Sequence, residues 1–209
     1  MAARKGATRA ADIHAEVRHA LSRGEMQSAT LAECLAVNQA TLARAVFPDL
    51  PVPAEAFGRL RLELGGRTFD VYNTGRHHSH GDLVVHQVEA GILWLSDLAF
   101  NQRVTYIGDG HSAEMLAAHA WLGETFTGIR LMVPGHGSAQ RAPFPMLAAT
   151  RAYIEGLRAR MQQQLEAGAS LQDAVDAAAM PDWAQVPLYE ENHRANASFI
   201  YRELEFEFF

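Results

Sequence analysis

Leu83-Val-Val-His-Gln-Val-Glu-Ala-Gly-Ile-Leu-Trp-Leu-Ser-Asp97 is the stretch that decides the fold, because it holds two apolar runs of β type joined by a turn. β-Branched and large apolar residues dominate both runs, and Glu89-Ala-Gly91 supplies turn residues between them. The stretch therefore predicts a β-hairpin. Its near-continuous apolar character predicts strands that are buried on both faces.

A second hairpin is predicted just upstream. Leu60, Leu62 and Leu64 alternate with charged residues, and Thr68–Tyr72 resumes the alternation after Gly65-Gly66. Two glycines can adopt the positive φ angles that a tight hairpin turn requires. Four strands of one sheet therefore precede residue 100.

The rest of the chain is predicted to be mainly helical, which makes the fold class α/β of the mixed α+β kind. A helix follows Ser112, and a short buried strand, Ile129–Val133, leads into Pro134-Gly-His-Gly137. The further predicted helices cover 10–22, 29–45, 144–168, Leu171–Met180 with Ser170 as N-cap, and Glu190–Glu205.

Length and charge restrict the classes of function. The 209 residues suit a single domain, and the net charge of −6 gives no reason to expect nucleic acid as a partner. The arginines are scattered singly, so we expect a solvated basic surface. No apolar run approaches the roughly 20 residues that span a bilayer, and no secretory signal is seen. The expectation is a cytoplasmic protein that acts on a small molecule, with a lone Cys34 that forms no internal disulfide.

Histidine and aspartate at strand ends are the candidate functional residues. The loop Gly75-Arg-His-His-Ser-His-Gly-Asp-Leu83 carries His77, His78 and His80, and a glycine-flanked His136 follows the third β segment. Asp97 ends an apolar run, where an isolated carboxylate is costly to bury unless it is paired or bound to a metal. Imidazole and carboxylate are common zinc ligands, so this set is compatible with a metal site. A single histidine in a loop is more often a surface or hydrogen-bonded residue, and the spacing alone leaves both interpretations open.

These motifs together resemble the metallo-β-lactamase superfamily. The loop at 75–83 is similar to its second histidine motif, Leu93-Trp-Leu-Ser-Asp97 to the motif of its bridging carboxylate, and Val133-Pro-Gly-His-Gly137 to its last ligand motif. The resemblance extends over residues 6–138, and 144–209 would be a helical C-terminal extension. The tail His193–Glu205 is similar to that of a branch linked to sulfur oxidation and quinoprotein relay systems.

Carried over by position, the resemblance makes His78 a metal ligand, Asp97 the bridging and catalytic carboxylate, and His136 the ligand of a second metal. Asp82 would be a structural residue of the loop, and His77 and His80 occupy positions that the family does not use as ligands. The implied activity is hydrolysis of an ester, thioester, lactone or lactam by metal-bound hydroxide.

One family feature is missing from this sequence. The His-x-His-x-Asp-His motif and the strands around it, which supply most of the first metal site, are absent, so the chain is similar to the second half of an αββα sandwich. The family holds one or two zinc ions, and at most one is expected here, with iron or manganese as alternatives. Substrate specificity would reside mainly in the loop Phe47–Phe57.

Three alternatives follow from this departure. The chain is a metal-dependent hydrolase, truncated and weak or inactive alone, whose exposed sheet is covered by a second copy or by the missing half. Alternatively, it is a non-catalytic domain that dimerises through that sheet. In the third, the helices within 10–45 bring His14 or His19 to a single metal ion.

Overall fold

The chain divides into two compact units, Met1–Pro53 and Ala54–Phe209. The computed structural model describes residues 58–79, 81–108 and 111–208, which lie in the second unit. The helices expected at 10–22 and 29–45, the loop Phe47–Phe57, His14, His19, Cys34 and His80 lie outside the described residues. The single-domain organisation of the whole chain stays a prediction.

The described residues form a mixed α/β fold, as expected, with one five-stranded sheet and four α-helices. The strands lie in the order β1-β2-β3-β4-β5; the first four are antiparallel to their neighbours, and β5 runs parallel to β4. In chain order the elements are β1 (Arg59–Leu64), β2 (Arg67–Gly75), β3 (Asp82–Gln87), β4 (Ile92–Phe100), α1 (Ser112–Thr125), β5 (Leu131–His136), α2 (Pro145–Glu166), α3 (Leu171–Asp176) and α4 (Tyr189–Phe208).

Both predicted hairpins are confirmed. Gly65 and Gly66 have φ angles of 59° and 71°, and Gly91 has a φ angle of 60°. Strand β4, in contrast, continues three residues beyond Asp97, where the sequence predicts its end. Because Ser96 has a φ angle of 50° and the pairing with β5 shifts register there, the strand bends and then resumes.

The helices cover one face of the sheet. Val84, Leu93, Leu95 and Met132 from the sheet form one fully or nearly buried core with apolar side chains of the helices. The opposite face is less buried than predicted: Leu60, Val71, Val85, Trp94 and Val133 lie opposite one another across all five strands and are only half-buried. A partner that covers this face stays a prediction.

The C-terminal helix α4 is tied to the rest of the fold by buried polar contacts. Glu203 accepts hydrogen bonds from the backbone N–H groups of Ser112 and Ala113, both at 2.9 Å, and so caps the start of α1. Arg158 of α2 donates to the same carboxylate at 3.1 Å. The predicted cap of α3 is confirmed, because the Ser170 hydroxyl accepts from the N–H of Asp173.

A buried histidine gives the fold a predictable pH dependence. His119 of α1 contacts the carbonyl oxygen of Leu98 through Nε2 at 2.6 Å, and its Nδ1 is buried without a hydrogen-bond partner among the residues that the structure describes. Burial lowers the pKa of His119 to about 4. In the unfolded chain the pKa is about 6.5, so between these values the unfolded state binds more protons.

We therefore expect the contribution of neutral His119 to be complete above pH 6.5 and to be lost as the pH falls towards 4, by up to about 3 kcal/mol. Urea unfolding of the protein and of His119→Gln between pH 7 and 4 measures it. Glutamine does not titrate, so the free energy of unfolding of the variant should fall less steeply. Equal slopes would show that His119 is not the source.

Candidate metal centre

The three predicted site residues lie next to one another. Nε2 of His78 is 3.6 Å from Oδ2 of Asp97, and Nε2 of His136 is 3.5 Å from Oδ1 of the same carboxylate. The loop before β3 carries His78, the bent strand β4 carries Asp97, and His136 is the last residue of β5. The fold thus brings together residues that are 58 positions apart in sequence, from 78 to 136.

The bend in β4 positions Asp97. Ser96 occupies the left-handed region, where residues other than glycine are strained. The backbone conformation before the carboxylate is therefore one that glycine would adopt without a steric cost from a Cβ atom.

The ring of His78 is oriented by a backbone carbonyl. Its Nδ1 lies 2.7 Å from the oxygen of Tyr106, and because a carbonyl only accepts, Nδ1 carries the proton and donates. In the neutral ring, Nε2 then presents a lone pair to the Asp97 carboxylate. Two acceptors face each other there, which requires a cation or a second ring proton between them. In metal-binding histidines, the ring nitrogen that does not bind the metal commonly donates its proton to a carbonyl or carboxylate, as Nδ1 does here.

One oxygen of the Asp97 carboxylate lacks a hydrogen-bond partner among the described residues. This atom, Oδ1, is buried, although buried carboxylate oxygens are normally paired. Gly135 leaves room for it, since a Cβ atom at that position would lie 2.2 Å from Oδ1. The distances to the imidazoles exceed the roughly 2.7–3.2 Å of a hydrogen bond and are close to the separation of about 3.3–3.4 Å between two ligands of a tetrahedral zinc ion.

The donor set is incomplete, however. Within the described ranges no group of three or more histidine, cysteine, aspartate or glutamate side chains is placed to hold a metal ion. Each imidazole faces its own oxygen of Asp97, so the described residues form two half-sites that share one carboxylate. A zinc ion usually has at least three protein ligands, so each half-site needs further donors. The single ion shared by all three residues stays a prediction.

The aromatic ring of Phe100 contacts both imidazoles. The ring centroid of Phe100 lies 5.7 Å from that of His78 and 5.3 Å from that of His136, and the Phe100 and His136 rings are stacked. Phe100 is itself nearly buried. The side chain of His136 is half-exposed, so this ring contact stabilises its orientation.

The loop that carries His78 is built around Asp82. The Oδ2 atom of Asp82 accepts hydrogen bonds from the N–H groups of His77, His78 and Ser79. Burial by itself would raise the pKa of this carboxyl, but the contact with the His77 ring and the backbone hydrogen bonds outweigh it and hold the pKa well below its usual range. Asp82 therefore has the structural role expected from the sequence.

His77 is not positioned as a ligand. Its ring is fully buried, with Nδ1 3.0 Å from Oδ2 of Asp82 and Nε2 2.7 Å from the hydroxyl of Thr74. Both ring nitrogens are thus used to brace the loop. This agrees with the expectation that the position does not bind metal.

A buried amide fixes the segment that orients His78. Asn196 of α4 accepts a hydrogen bond from the N–H of Ile107 at 2.9 Å and donates to the carbonyl of Thr105 at 2.7 Å. Its amide also donates to the hydroxyl of Tyr153 at 3.1 Å. These bonds hold the backbone on both sides of Tyr106, whose carbonyl binds His78. Sequence reasoning missed this residue, because an isolated asparagine in a helical pattern has no distinctive spacing.

The expectation of a solvated basic surface is wrong for Arg158, which is mostly buried against Glu203. Arg103, on the loop after β4, is half-buried, and its Nε is buried without a hydrogen-bond partner in the described part of the chain. Arg103 lies six residues after Asp97, and its proximity in sequence to the candidate ligand is the signal that could have found it.

No family model and no curated protein matches the chain. Solved structures similar to the chain include a metallo-β-lactamase from Pontibacter korlensis, with 21% identity and a TM-score of 0.42 over 47% of this chain and 46% of that one. Another is from Hirschia baltica, with 18% identity and a TM-score of 0.40 over 48% of this chain and 44% of that one.

Both are metallo-β-lactamases. The chain spans less than half the length of either structure.

No helix within residues 58–79, 81–108 and 111–208 is both long and apolar enough to cross a membrane. The cytoplasmic location expected from the sequence stays a prediction.

Proposed function

We propose that the protein is a metal-dependent hydrolase that cleaves an ester, thioester, lactone or lactam. The observation that supports this most directly is the pair of imidazoles that face the two oxygens of Asp97. One of these oxygens, Oδ1, is buried and has no hydrogen-bond partner within residues 58–79, 81–108 and 111–208. Nitrogen and oxygen donors of this kind suit zinc, and iron and manganese also accept them. We also propose that the chain belongs to the branch linked to sulfur oxidation and quinoprotein relay systems, because its tail His193–Glu205 is similar to the tail of that branch.

His78, Asp97 and His136 would hold the metal, which when bound supplies Lewis-acid activation of water and of the substrate carbonyl. The residues of the chain prepare this chemistry. The Tyr106 carbonyl keeps the Nε2 lone pair of His78 directed at Asp97, and Phe100 fixes the ring of His136. The remaining ligands come from outside the described residues. A second copy of the chain or a separate first half would supply these ligands and would also cover the half-buried sheet face.

The test is to load the chelator-treated full chain with zinc, count bound zinc by mass spectrometry, and measure hydrolysis of p-nitrophenyl acetate, a lactone and a lactam. We expect zinc binding and hydrolysis of at least one substrate class. A His78→Ala/His136→Ala variant should bind zinc at least about 100-fold more weakly, because it lacks both imidazoles.

His86→Ala is the matched control, because His86 lies on β3 and its ring contacts Phe126. It should keep the zinc content and activity of the parent. A parent chain with less than one zinc or iron per molecule and without hydrolytic activity would leave the non-catalytic alternative, a domain that acts by association.

A further inference from the structure

A cavity of about 380 Å³ lies between helices α1 and α2, beside strand β5. It is separate from the smaller cavity of about 240 Å³ that His78 and His136 line, because none of the described residues lines both. Its volume lies within the roughly 300–1,000 Å³ that is typical of small-molecule sites. The cavity is therefore large enough for a ligand of its own.

The walls of this cavity are mostly apolar. Among the described residues that line it, His119 and Arg151 have the only polar side chains. The guanidinium of Arg151 donates from Nε to Oε1 of Glu155 at 2.7 Å, so its charge already has a counter-ion. A neutral ligand therefore suits the cavity better than an anion. The large apolar side chains against which it would pack are Leu122, Phe126, Ile129, Met132, Phe144 and Leu147.

His119 has one hydrogen-bond acceptor to offer a ligand. Its Nε2 lies 2.6 Å from the carbonyl oxygen of Leu98, and because a carbonyl only accepts, Nε2 carries the proton. Burial lowers the pKa of His119 to about 4, so the ring is neutral at pH 7 and Nδ1 is an acceptor. The residue is only 4% exposed, and Nδ1 has no donor in the part of the chain that the structure describes. A buried acceptor without a donor is destabilising, and a ligand hydroxyl would remove that cost.

The wall at the start of α2 is held in one conformation. Gln140 forms two backbone hydrogen bonds with Met132, both at 2.9 Å, and its side-chain oxygen accepts from the N–H of Met146 at 2.9 Å. Phe144 has a φ angle of 58°, in the region that favours glycine, and such strain persists where the surroundings enforce it. The cavity is therefore preformed, and a ligand would not have to order this wall on binding.

We propose that this cavity is a second binding site, which takes a small neutral compound with an apolar body and one hydroxyl group. The hydroxyl donates to Nδ1 of His119, and the apolar body packs between α1 and α2. A phenol has this chemistry, because its O–H is a donor and its ring is apolar. The same imidazole binds the carbonyl of Leu98, which directly follows Asp97, so one side chain joins the ligand to the strand of the candidate metal centre.

Two isomers, p-cresol and anisole, test the role of the hydroxyl group, because they contain the same atoms and only p-cresol has an O–H donor. Each is titrated into the metal-free full chain, and the amide chemical shifts in NMR spectra give the affinity and the location. We expect p-cresol to bind at least about fivefold more tightly than anisole, since only its hydroxyl satisfies Nδ1. The amides of Leu122 and Ile129 should shift, because both residues line the cavity.

Three results of this titration would overturn the proposal: equal affinities for the two isomers, binding of neither, or shifts confined to the residues around His78 and His136. Because the chain is free of metal, none of them depends on whether the protein is a hydrolase.

A His119→Leu variant tests the acceptor itself. Leucine keeps the wall apolar but has no acceptor, so the hydroxyl of p-cresol would be buried without a partner. We expect p-cresol to bind this variant no more tightly than anisole does. The ratio of two affinities within one variant cancels a general change in the shape of the cavity. A preference for p-cresol that persists in His119→Leu would refute the role of Nδ1.

Two neighbouring alanines provide a matched pair of variants that leaves His119 intact. Ala148 and Ala149 are both exposed on α2, and only Ala148 lines the cavity. Ala148→Leu should weaken p-cresol binding at least about fivefold by filling the space, and Ala149→Leu should bind as the parent does.

Leucine is a good helix former, so both alanine variants should fold, which a circular-dichroism melt establishes. They keep the test decisive should His119→Leu fold poorly. An unchanged affinity for p-cresol in Ala148→Leu would mean that the ligand binds elsewhere and would contradict the proposed site.

Discussion

An Asp97→Asn variant is expected to bind zinc at least about 100-fold more weakly than the parent and to lose hydrolytic activity. This one carboxylate faces both candidate histidine ligands: His78 faces Oδ2, and His136 faces Oδ1. Asparagine keeps the shape of the side chain but replaces one oxygen by an NH₂ group and removes the charge. Competition with a chromophoric chelator gives the affinity, and the ester assay gives the activity.

The same variant should be at least as stable as the parent when metal is absent. The buried Oδ1 has no hydrogen-bond partner in the part of the chain that the structure describes, so removing the charge relieves a cost of burial. A higher melting temperature together with lost zinc binding would be the signature of a residue retained for function at the expense of stability. Unchanged zinc affinity in Asp97→Asn would contradict the metal centre itself.

A Gly135→Ala variant is expected to disrupt the centre by steric overlap alone. The added Cβ atom would lie 2.2 Å from Oδ1 of Asp97 and 2.8 Å from the backbone carbon and oxygen of Ser96. Because two of these atoms are backbone, the bend of β4 must shift. We expect a loss of about 1–3 kcal/mol in the free energy of unfolding and a roughly 10–100-fold weaker zinc affinity.

Gly123→Ala provides the matched control. Gly123 lies in helix α1, and a Cβ atom there would meet nothing within 4 Å. Alanine at such a helical position should stabilise the protein by about 0.5–1 kcal/mol. The two glycine-to-alanine substitutions are therefore expected to change the free energy of unfolding in opposite directions. Denaturant unfolding measures both. A Gly135→Ala protein with the stability and zinc affinity of the parent would mean that the contact between β5 and Asp97 is looser than described.

Those parts of the fold that depend on local pattern could be predicted from the sequence. The hairpin turn at Gly65-Gly66 has both glycines at positive φ, and the N-cap at Ser170 is made as expected. The predicted helix at 144–168 is observed as Pro145–Glu166. In each case the deciding physics lies within a few residues, so a short window of sequence contains it.

The end of β4 could not be predicted in the same way. Ser96 and Asp97 are polar and were interpreted as a strand end, whereas the strand bends at Ser96 and continues to Phe100. Leu98, Ala99 and Phe100 are buried beyond the bend, and the burial of those three residues depends on tertiary packing. Tertiary packing thus overrides the local signal at the residue that matters most for the site.

The proximity of the three candidate ligands could be predicted from the sequence. His78, Asp97 and His136 lie at predicted strand ends and match the resemblance, and the fold brings them together, while their binding of a metal stays a prediction. The contacts of Asn196 could not be predicted, because they join it to residues distant in sequence. Such properties have no counterpart in hydrophobic periodicity or motif spacing.

The hydrogen bonds of Asn196 have a consequence for inhibition. The amide joins the C-terminal helix to the backbone on either side of Tyr106, and the carbonyl of that residue sets the direction of the His78 ring. In the proposed hydrolase, a compound that wedges the helix away from this backbone would release the ring and stop hydrolysis from a distance. Its potency would not fall as substrate concentration rises, since the compound and the substrate would not compete for the same space.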